Sequence, residues 1–509
     1  MKKIIKLILI IVALLAIILM VNEDIASRQN ADMDYIYAEL DGEIINIFKN
    51  SSDEYYLFLP SYSNVEDVEY SEGAKDIDIN ILKSANLDTV FINTKSNSLE
   101  KIYADKEYEE TGSIRVFSKD GERIYEGGLS KISGRGNYSW TNWEKKPFSI
   151  SLARETDDLL NLPGGGSFAL IANASDATFL RNDIARKLEV TSEIDYAHEG
   201  RYVDLFINGD YMGNYYLMDT IDIGEKRINV TNLELILKNI YKKSNLDAYT
   251  IIEEEDLKAT DLPMEPVDLS GGYLIEREFE GRYKLELPIT PSGFVTKNKE
   301  HFFIRSPKYS SYREVKYLKD YLDQVENTIY SDDDQYKEYI DTDSFAKRYL
   351  IEEVTKNYDA GVSSAFFFKD TDTVDSKLKM APGWDYDMSL GNYLDWMEYY
   401  GKDATGLTLL SIASSHSDWW KSLYEKEDFQ NTVRKIYEEK ISNRLDTFVK
   451  KEIDEYRDFL SYSATMDSVR WHDMYEEKGY NPTDTKEYEK LKEFISIRKE
   501  FLDSLWITE

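Results

Sequence analysis

Tyr202-Val203-Asp204-Leu205-Phe206-Ile207-Asn208-Gly209-Asp210-Tyr211-Met212-Gly213-Asn214-Tyr215-Tyr216-Leu217-Met218 is the stretch that decides the fold class. Two runs rich in strand-forming residues flank Asn208-Gly209, a pair that supplies the two positive φ angles of a tight antiparallel turn, so the segment reads as a β-hairpin. Around it, from Ser113 to about Leu287, the pattern stays strand-rich, with one helix expected over Ala177 to Leu188 and capped by the Asp176 side chain. After Arg305 the period becomes helical, over Arg313 to Tyr330, Asp343 to Val354, Phe429 to Ser461 and Glu487 to Leu505. A strand at Ala365 to Lys369 and another at Lys377 to Met380 interrupt these helices, and the second runs into Pro382-Gly383-Trp384-Asp385-Tyr386-Asp387. The expectation is an α+β fold, a strand-rich lobe followed by a helical one.

Working outward, Asp34 to about Tyr108 reads as short alternating strands, such as Tyr55 to Leu59 and Thr89 to Asn93, and predicts a small β-sandwich over 22–108. The main body is expected over 109–425, strand-rich to about residue 300 and helical after it, with a helical extension over 426–509. The acidic insert Asn245 to Asp261 is expected to be a solvated loop. At the start of the chain, Lys2, Lys3 and Lys6 precede an apolar run to Val21, the pattern of an export segment. No small-x-small cleavage site follows, so residues 1–21 read as an uncleaved signal anchor in preference to a removed signal peptide. That places the acidic body outside a membrane, on a bacterial surface or otherwise extracytoplasmic.

The composition narrows the chemistry. Among 509 residues, 96 acidic against 62 basic side chains leave a net charge of −34, whose field repels phosphate backbones and makes nucleic acid a poor partner. There is no cysteine, which removes thiolate nucleophiles, disulfides, iron–sulfur clusters and thiolate zinc sites. The four histidines, His198, His301, His416 and His472, lie far apart and read as unrelated surface or core groups. Carboxylates, hydroxyls, Lys and Arg are left to do the work.

Phosphoryl transfer needs a cation on the nucleotide phosphates, a carboxylate beside the incoming hydroxyl and oxygen ligands for Mg²⁺. Three clusters offer these parts. Ser133-Gly134-Arg135-Gly136-Asn137 and Lys145-Lys146-Pro147 combine glycines that let backbone amides approach phosphate with cations, Arg135 and Lys146, that could neutralise it; the bland alternative is a turn and a solvated lysine pair. Asn357-Tyr358-Asp359, with Ser364 beyond it, places a carboxylate that could orient and deprotonate a hydroxyl in a loop after a helix, or is simply a helix-ending turn. Asp385 and Asp387, two residues apart beside Pro-Gly, make a hard oxygen site for Mg²⁺ or Ca²⁺, or an Asx turn that seats Trp384.

Taken together these motifs resemble the CotH kinases, atypical protein kinases named for a spore-coat protein. The likeness covers roughly Ser113 to Leu423 and adds Phe179-Leu180-Arg181-Asn182, Asn208-Gly209-Asp210-Tyr211-Met212-Gly213-Asn214-Tyr215 and Gly271-Gly272-Tyr273-Leu274-Ile275-Glu276. It implies a bilobal kinase-like fold and transfer of phosphate from ATP to serine, or threonine, of a protein substrate such as a surface or coat protein. It makes Lys146 the phosphate-binding lysine, Asp359 the catalytic aspartate, and Asp385 a ligand of Mg²⁺ (Mn²⁺ or Ca²⁺ as substitutes) with Asp387 as second ligand. Arg135, Gly136 and Lys145 would help hold the nucleotide, and Glu276 would hold the lysine or a metal. Two positions depart from the family pattern: Ser364 stands where the catalytic-loop Asn is expected, giving a poorer metal ligand, and Asp219 stands where Glu is common. A catalytically silent surface-assembly or spore-coat protein is the alternative, and a glycosidase using Asp359 and Asp385 a third reading. Trp419-Trp420 and Phe366-Phe367-Phe368 read as core, and Ser331-Asp332-Asp333-Asp334 as a solvated helix end or loop.

Overall fold

The Asn-Gly hairpin forms as the sequence predicts. In the computed structural model, which describes residues 36–154, 157–162, 164–241, 249–263, 267–357, 359, 363–393, 403–409 and 419–507, strands Gly200–Ile207 (β12) and Asp210–Asp219 (β13) pair antiparallel around Asn208 and Gly209, whose φ angles are 53° and 87°. The strands before them are Tyr37–Leu40 (β1), Glu43–Asn46 (β2), Phe48–Lys49 (β3), Tyr55–Leu59 (β4), Glu69–Tyr70 (β5), Ile79–Lys83 (β6), Asp88–Thr94 (β7), Glu110–Phe117 (β8), Arg123–Gly134 (β9), Phe148–Leu152 (β10) and Ser167–Ile171 (β11). The hairpin closes a seven-stranded barrel in the order β10-β11-β13-β12-β7-β8-β9.

Alternation along β12 shows how one strand serves several packing surfaces. Val203, Leu205 and Ile207 fill the barrel with Val90, Ile114, Phe148 and Phe168. Phe206, on the other face, packs with Phe91, Tyr211 and Leu57 under an outer layer, while Tyr202 joins the main core. Both faces are buried, so a one-residue slip in register would exchange the whole set.

The expected sandwich over 22–108 is therefore drawn differently. β7 belongs to the barrel, paired parallel to β12. The strands before it form two three-stranded sheets, β2-β1-β5 and β3-β4-β6, whose core includes barrel residues Phe91, Phe206 and Tyr211. A long-range parallel pairing of this kind has no local sequence signal, since the partners are over a hundred residues apart.

A second sheet has seven strands in the order β14-β15-β17-β18-β16-β19-β20, formed by Ile251–Glu254 (β14), Leu257–Thr260 (β15), Tyr273–Glu278 (β16), Gly293–Val295 (β17), His301–Ser306 (β18), Ala365–Lys369 (β19) and Lys379–Met380 (β20). Part of the acidic insert is thus not a solvated loop: β14 and β15 form a hairpin, and β15 is buried throughout. Strands from both sides of residue 300 lie side by side in this sheet, so that boundary does not divide strands from helices.

Helices Tyr312–Ile329 and Thr342–Thr355 pack against the second sheet, begun by the Ser311/Glu314 capping box and by Asp341 accepting from the Ser344 N–H at 2.8 Å. The helix after Asp176 starts later than predicted, spanning Arg181–Ser192. Asp176 instead closes a turn through Thr178 and accepts from the Arg181 backbone N–H at 2.9 Å. The C-terminal helices do more than extend the helical part. The helix Ile453–Arg470 returns to the barrel, where Ser463 and Asp467 meet Asn214 of β13. Gly213, at φ 117°, allows this approach, because a Cβ there would lie 2.3 Å from Asp467 Oδ2.

The export segment lies outside the described residues. Among the described residues no helix is long and apolar enough to cross a membrane.

Candidate active site

Between the barrel and the second sheet lies a cleft of about 630 Å³ lined by residues of both, Ile171 and Met218 from the barrel and Glu276, Ile304 and Phe366 from the sheet. Most of the residues singled out in the sequence meet there: Arg135, Gly136, Glu276, Asp359, Ser364, Asp385 and Asp387 all line it.

The Trp384–Asp387 segment is pinned by the residue between its carboxylates. Tyr386 is buried in the main core, where its hydroxyl donates to Glu352 Oε1 at 3.0 Å and accepts from Arg348 at 2.9 Å. Asp385 and Asp387 on either side are left facing the cleft. Asp387 Oδ2 accepts from Ser175 at 2.8 Å, and Asp385 Oδ2 accepts from Ser364 at 3.4 Å. Asp385 and Ser364 both have left-handed backbones, φ 59° and 49°, a local strain of the sort that collects at functional sites.

Crowded carboxylates set the electrostatics. Burial pushes the Asp359 carboxyl up to about 7, with the charge of Asp385 adding to the shift and Arg282 opposing it. Asp387 is raised to about 6 by burial and then by Asp385, against the Ser175 hydrogen bond. A mixed set of Glu and Arg lies beside these carboxylates. Arg305 pairs with Glu276 and Glu286, Arg282 reaches Glu286 at 2.8 Å and Glu278 at 3.4 Å, and Asn137 donates to Glu286 at 3.3 Å. Glu278 is pushed up to about 9 by burial and by neighbouring Glu276, and it accepts from Ser363 Oγ at 2.5 Å, bracing the loop that carries Ser364. Arg135 stacks over Trp384 at 4.7 Å, and its charge is felt by Asp385 and Asp387.

Two predicted residues do not join the site. Lys145 is fully buried, paired with Asp467 Oδ2 at 2.5 Å and donating to the Asn214 carbonyl at 2.8 Å. Its placement is that of an internal tie between the barrel and the C-terminal helix, not of a nucleotide ligand. Lys146 turns to Trp140, bonding its carbonyl and lying 5.5 Å from the ring centre, and it does not line the cleft. Both precede β10, which begins at Phe148, and neither side chain lines the cleft, although Pro147 does. The cations that line the cleft are Lys106, Arg135, Arg186, Arg282, Arg305 and Lys308, of which Arg282 and Arg305 pair with the Glu residues. The sequence carried one sign of this set, the Arg282, Glu286 spacing, which places opposite charges on one helical face.

A divalent ion fits this donor set in a limited way. Among the described residues no three carboxylates or imidazoles are placed to enclose a metal by themselves. Mg²⁺ needs only one or two protein carboxylates when substrate phosphates complete its shell, and Asp385 and Asp387 beside Ser175 and Ser364 are hard oxygen donors of that number.

The chain matches a family model described as CotH kinase protein over residues 132–502. It belongs to the CotH kinase family. The match spans the barrel from the last residues of β9 onward, the second sheet and the C-terminal helices, so the return of Ile453–Arg470 to the barrel falls within it. No curated protein matches the chain. CotH kinase family membership suggests a kinase-like enzyme.

Proposed function

We propose that this CotH kinase family member is an atypical protein kinase of bilobal design, with the barrel and the second sheet as the two sides of a nucleotide cleft, transferring the γ-phosphate of ATP to serine or threonine of a surface or coat protein. The observation that carries the reading is the convergence of Asp359, Asp385, Asp387 and Ser364 in one cleft with Arg282 and Arg305. Asp359 accepts the proton of the acceptor hydroxyl, whose oxygen bonds to the γ-phosphorus as the bond to the bridging oxygen breaks and ADP leaves. Arg305 and Arg282 take the phosphate-neutralising role expected of Lys146. Asp385 and Asp387 would hold Mg²⁺, which supplies charge neutralisation at the phosphates when bound. Export and anchoring by residues 1–21, and a place at the cell surface or in a spore coat, belong to the same reading.

The alternative is a binding protein without turnover. It is favoured by the placement of Lys146 outside the cleft and by Ser364 in the metal-ligand position. Incubation of the full-length chain with γ-labelled ATP, Mg²⁺ and a generic acceptor such as casein, beside Asp359→Asn, separates the two. Labelled phosphoserine or phosphothreonine with the native chain and not with the variant supports the kinase; nucleotide binding with no transfer to any acceptor, itself included, supports the silent reading.

A further inference from the structure

Glu286 already stands where the nucleotide reading puts a phosphate. It is the last residue of the helix Glu280–Glu286, it lines the cleft, and its carboxylate accepts from three side chains: Arg282 Nε at 2.8 Å, Arg305 Nη2 at 3.1 Å and Asn137 Nδ2 at 3.3 Å. Asn137 follows β9 of the barrel, whereas Arg305 lies on β18 of the second sheet, so donors from both meet on one anion. Convergent N–H donors, two of them guanidinium groups, suit a phosphate as well as a carboxylate. The Asn137 amide has its orientation fixed. Lys106 Nζ, which only donates, is 2.7 Å from Asn137 Oδ1 and 3.0 Å from the Gly136 carbonyl, and this leaves Nδ2 for Glu286.

These donors, and not the helix, hold Glu286 in place. Burial works against its charge, but Arg282 and Arg305 keep the carboxyl below its ordinary range. A carboxylate on the last residue of a helix meets the negative end of the helix dipole, so the helix itself does not favour it. The backbone on either side is anchored: Tyr283 stacks on Phe303 at 4.6 Å, and Lys258 donates to the carbonyls of Leu287 and Pro288. The Glu286 side chain is 18% exposed and can leave by rotation while the helix stays. Arg305 then keeps a counter-ion, since it also bonds Glu276, which is buried in β16.

We propose that Arg282, Arg305 and Asn137 form a receptor for a phosphate of the nucleotide, that Glu286 fills this receptor in the unliganded chain, and that the incoming phosphate displaces the Glu286 side chain. Resting on the nucleotide reading above, this places a competitor inside the site and makes Asn137 a phosphate donor. A carboxylate offers the receptor one negative charge and a nucleotide phosphate chain offers several, so the same donors gain more from the phosphate. Apparent affinity is lowered by the fraction of molecules whose receptor is filled, and removing the competitor raises it. A Glu286 that only aimed the two arginines would do the opposite, because its loss would weaken binding.

The test is calorimetric titration of the full-length chain, with Mg²⁺ present, by ATP, tripolyphosphate and adenosine, in the native chain, Glu286→Gln, Glu286→Asp and Glu286→Gln/Asn137→Ala. Glu286→Gln should bind ATP and tripolyphosphate about tenfold more tightly than the native chain and adenosine no differently. Glu286→Asp, whose carboxylate is one methylene short of the donors, should show part of that gain and gives a second reading should the Gln variant fail to fold. Adding Asn137→Ala to Glu286→Gln should cost about threefold or more in ATP affinity, the loss of one donor to phosphate. Unchanged or weaker binding of ATP and tripolyphosphate by the Glu286 variants overturns the inference alone, as does a gain that extends to adenosine. Absence of binding of ATP and tripolyphosphate by the native chain and every variant overturns the nucleotide reading and this inference with it.

Discussion

Replacing Lys145 and Lys146 separately distinguishes an internal tie from a nucleotide ligand. Lys145→Met leaves the Asp467 carboxylate fully buried without its counter-ion. Breaking one side of a buried pair costs about 3–5 kcal/mol. Asp467 keeps two donors, the Asn214 N–H at 2.8 Å and the Tyr475 hydroxyl at 2.6 Å, which places the cost at the lower end, about 3 kcal/mol. With an unfolding entropy of about 2.1 cal/mol/K per residue, a chain of 509 residues melting as one unit would lose about 3 °C in Tm. If the barrel and the C-terminal helix melt as a smaller unit, the fall is correspondingly larger. Lys146→Met removes only a half-buried contact to Trp140 and should shift Tm by less than about 1 °C. Scanning fluorimetry reads both, and ATP titration of the same samples completes the comparison. The double variant Lys145→Met/Asp467→Leu should regain part of the lost stability, since the uncompensated charge is gone. The reasoning is refuted if Lys145→Met melts like the native chain but no longer binds ATP.

The remaining predictions concern the cleft and the same tie. Arg305→Ala should weaken ATP binding by about tenfold and Lys146→Ala by less than about twofold, read by calorimetry; the reverse order would return the phosphate role to the lysine. Asp385→Asn should abolish metal-dependent nucleotide binding, whereas Asp359→Asn should preserve binding and reduce transfer by about 10²–10⁴-fold; equal loss of both functions in both variants would make these residues structural. Transfer should rise with pH through about 7 as Asp359 loses its proton. Arg282 lowers that pKa, so Arg282→Ala should move the acid limb of the rate profile to higher pH, and an unmoved limb would show that another group titrates. Gly213→Ala should destabilise the chain by several degrees in Tm, because its Cβ meets the Asp467 carboxylate.

Local physics made much of this protein legible without coordinates. The Asn-Gly turn, the helices around Arg313 to Tyr330 and Asp343 to Val354, and the strand Ala365 to Lys369 follow from turn chemistry, capping and periodicity, all set within a few residues. Residue type and spacing were enough to single out Asp359 as a candidate base and Asp385 with Asp387 as a candidate hard oxygen site, and all three line the cleft. Family membership likewise follows from the order of motifs along the chain.

What the tertiary structure decided is where distant residues meet. The parallel pairing of β7 with β12 moved a strand out of the expected sandwich and into the barrel, and β19 completed a sheet begun before residue 300. Lys145 and Lys146 look equivalent as neighbours in sequence, yet one is tied to Asp467, 322 residues on, and the other to Trp140. Arg305 and Glu276 are distant in sequence and adjacent in space, as are His198 and Asp219, because each pair spans neighbouring strands or strand ends. A side chain's role depends on which face of its strand is buried and against what, and that follows from long-range packing, for which the local sequence carries no term.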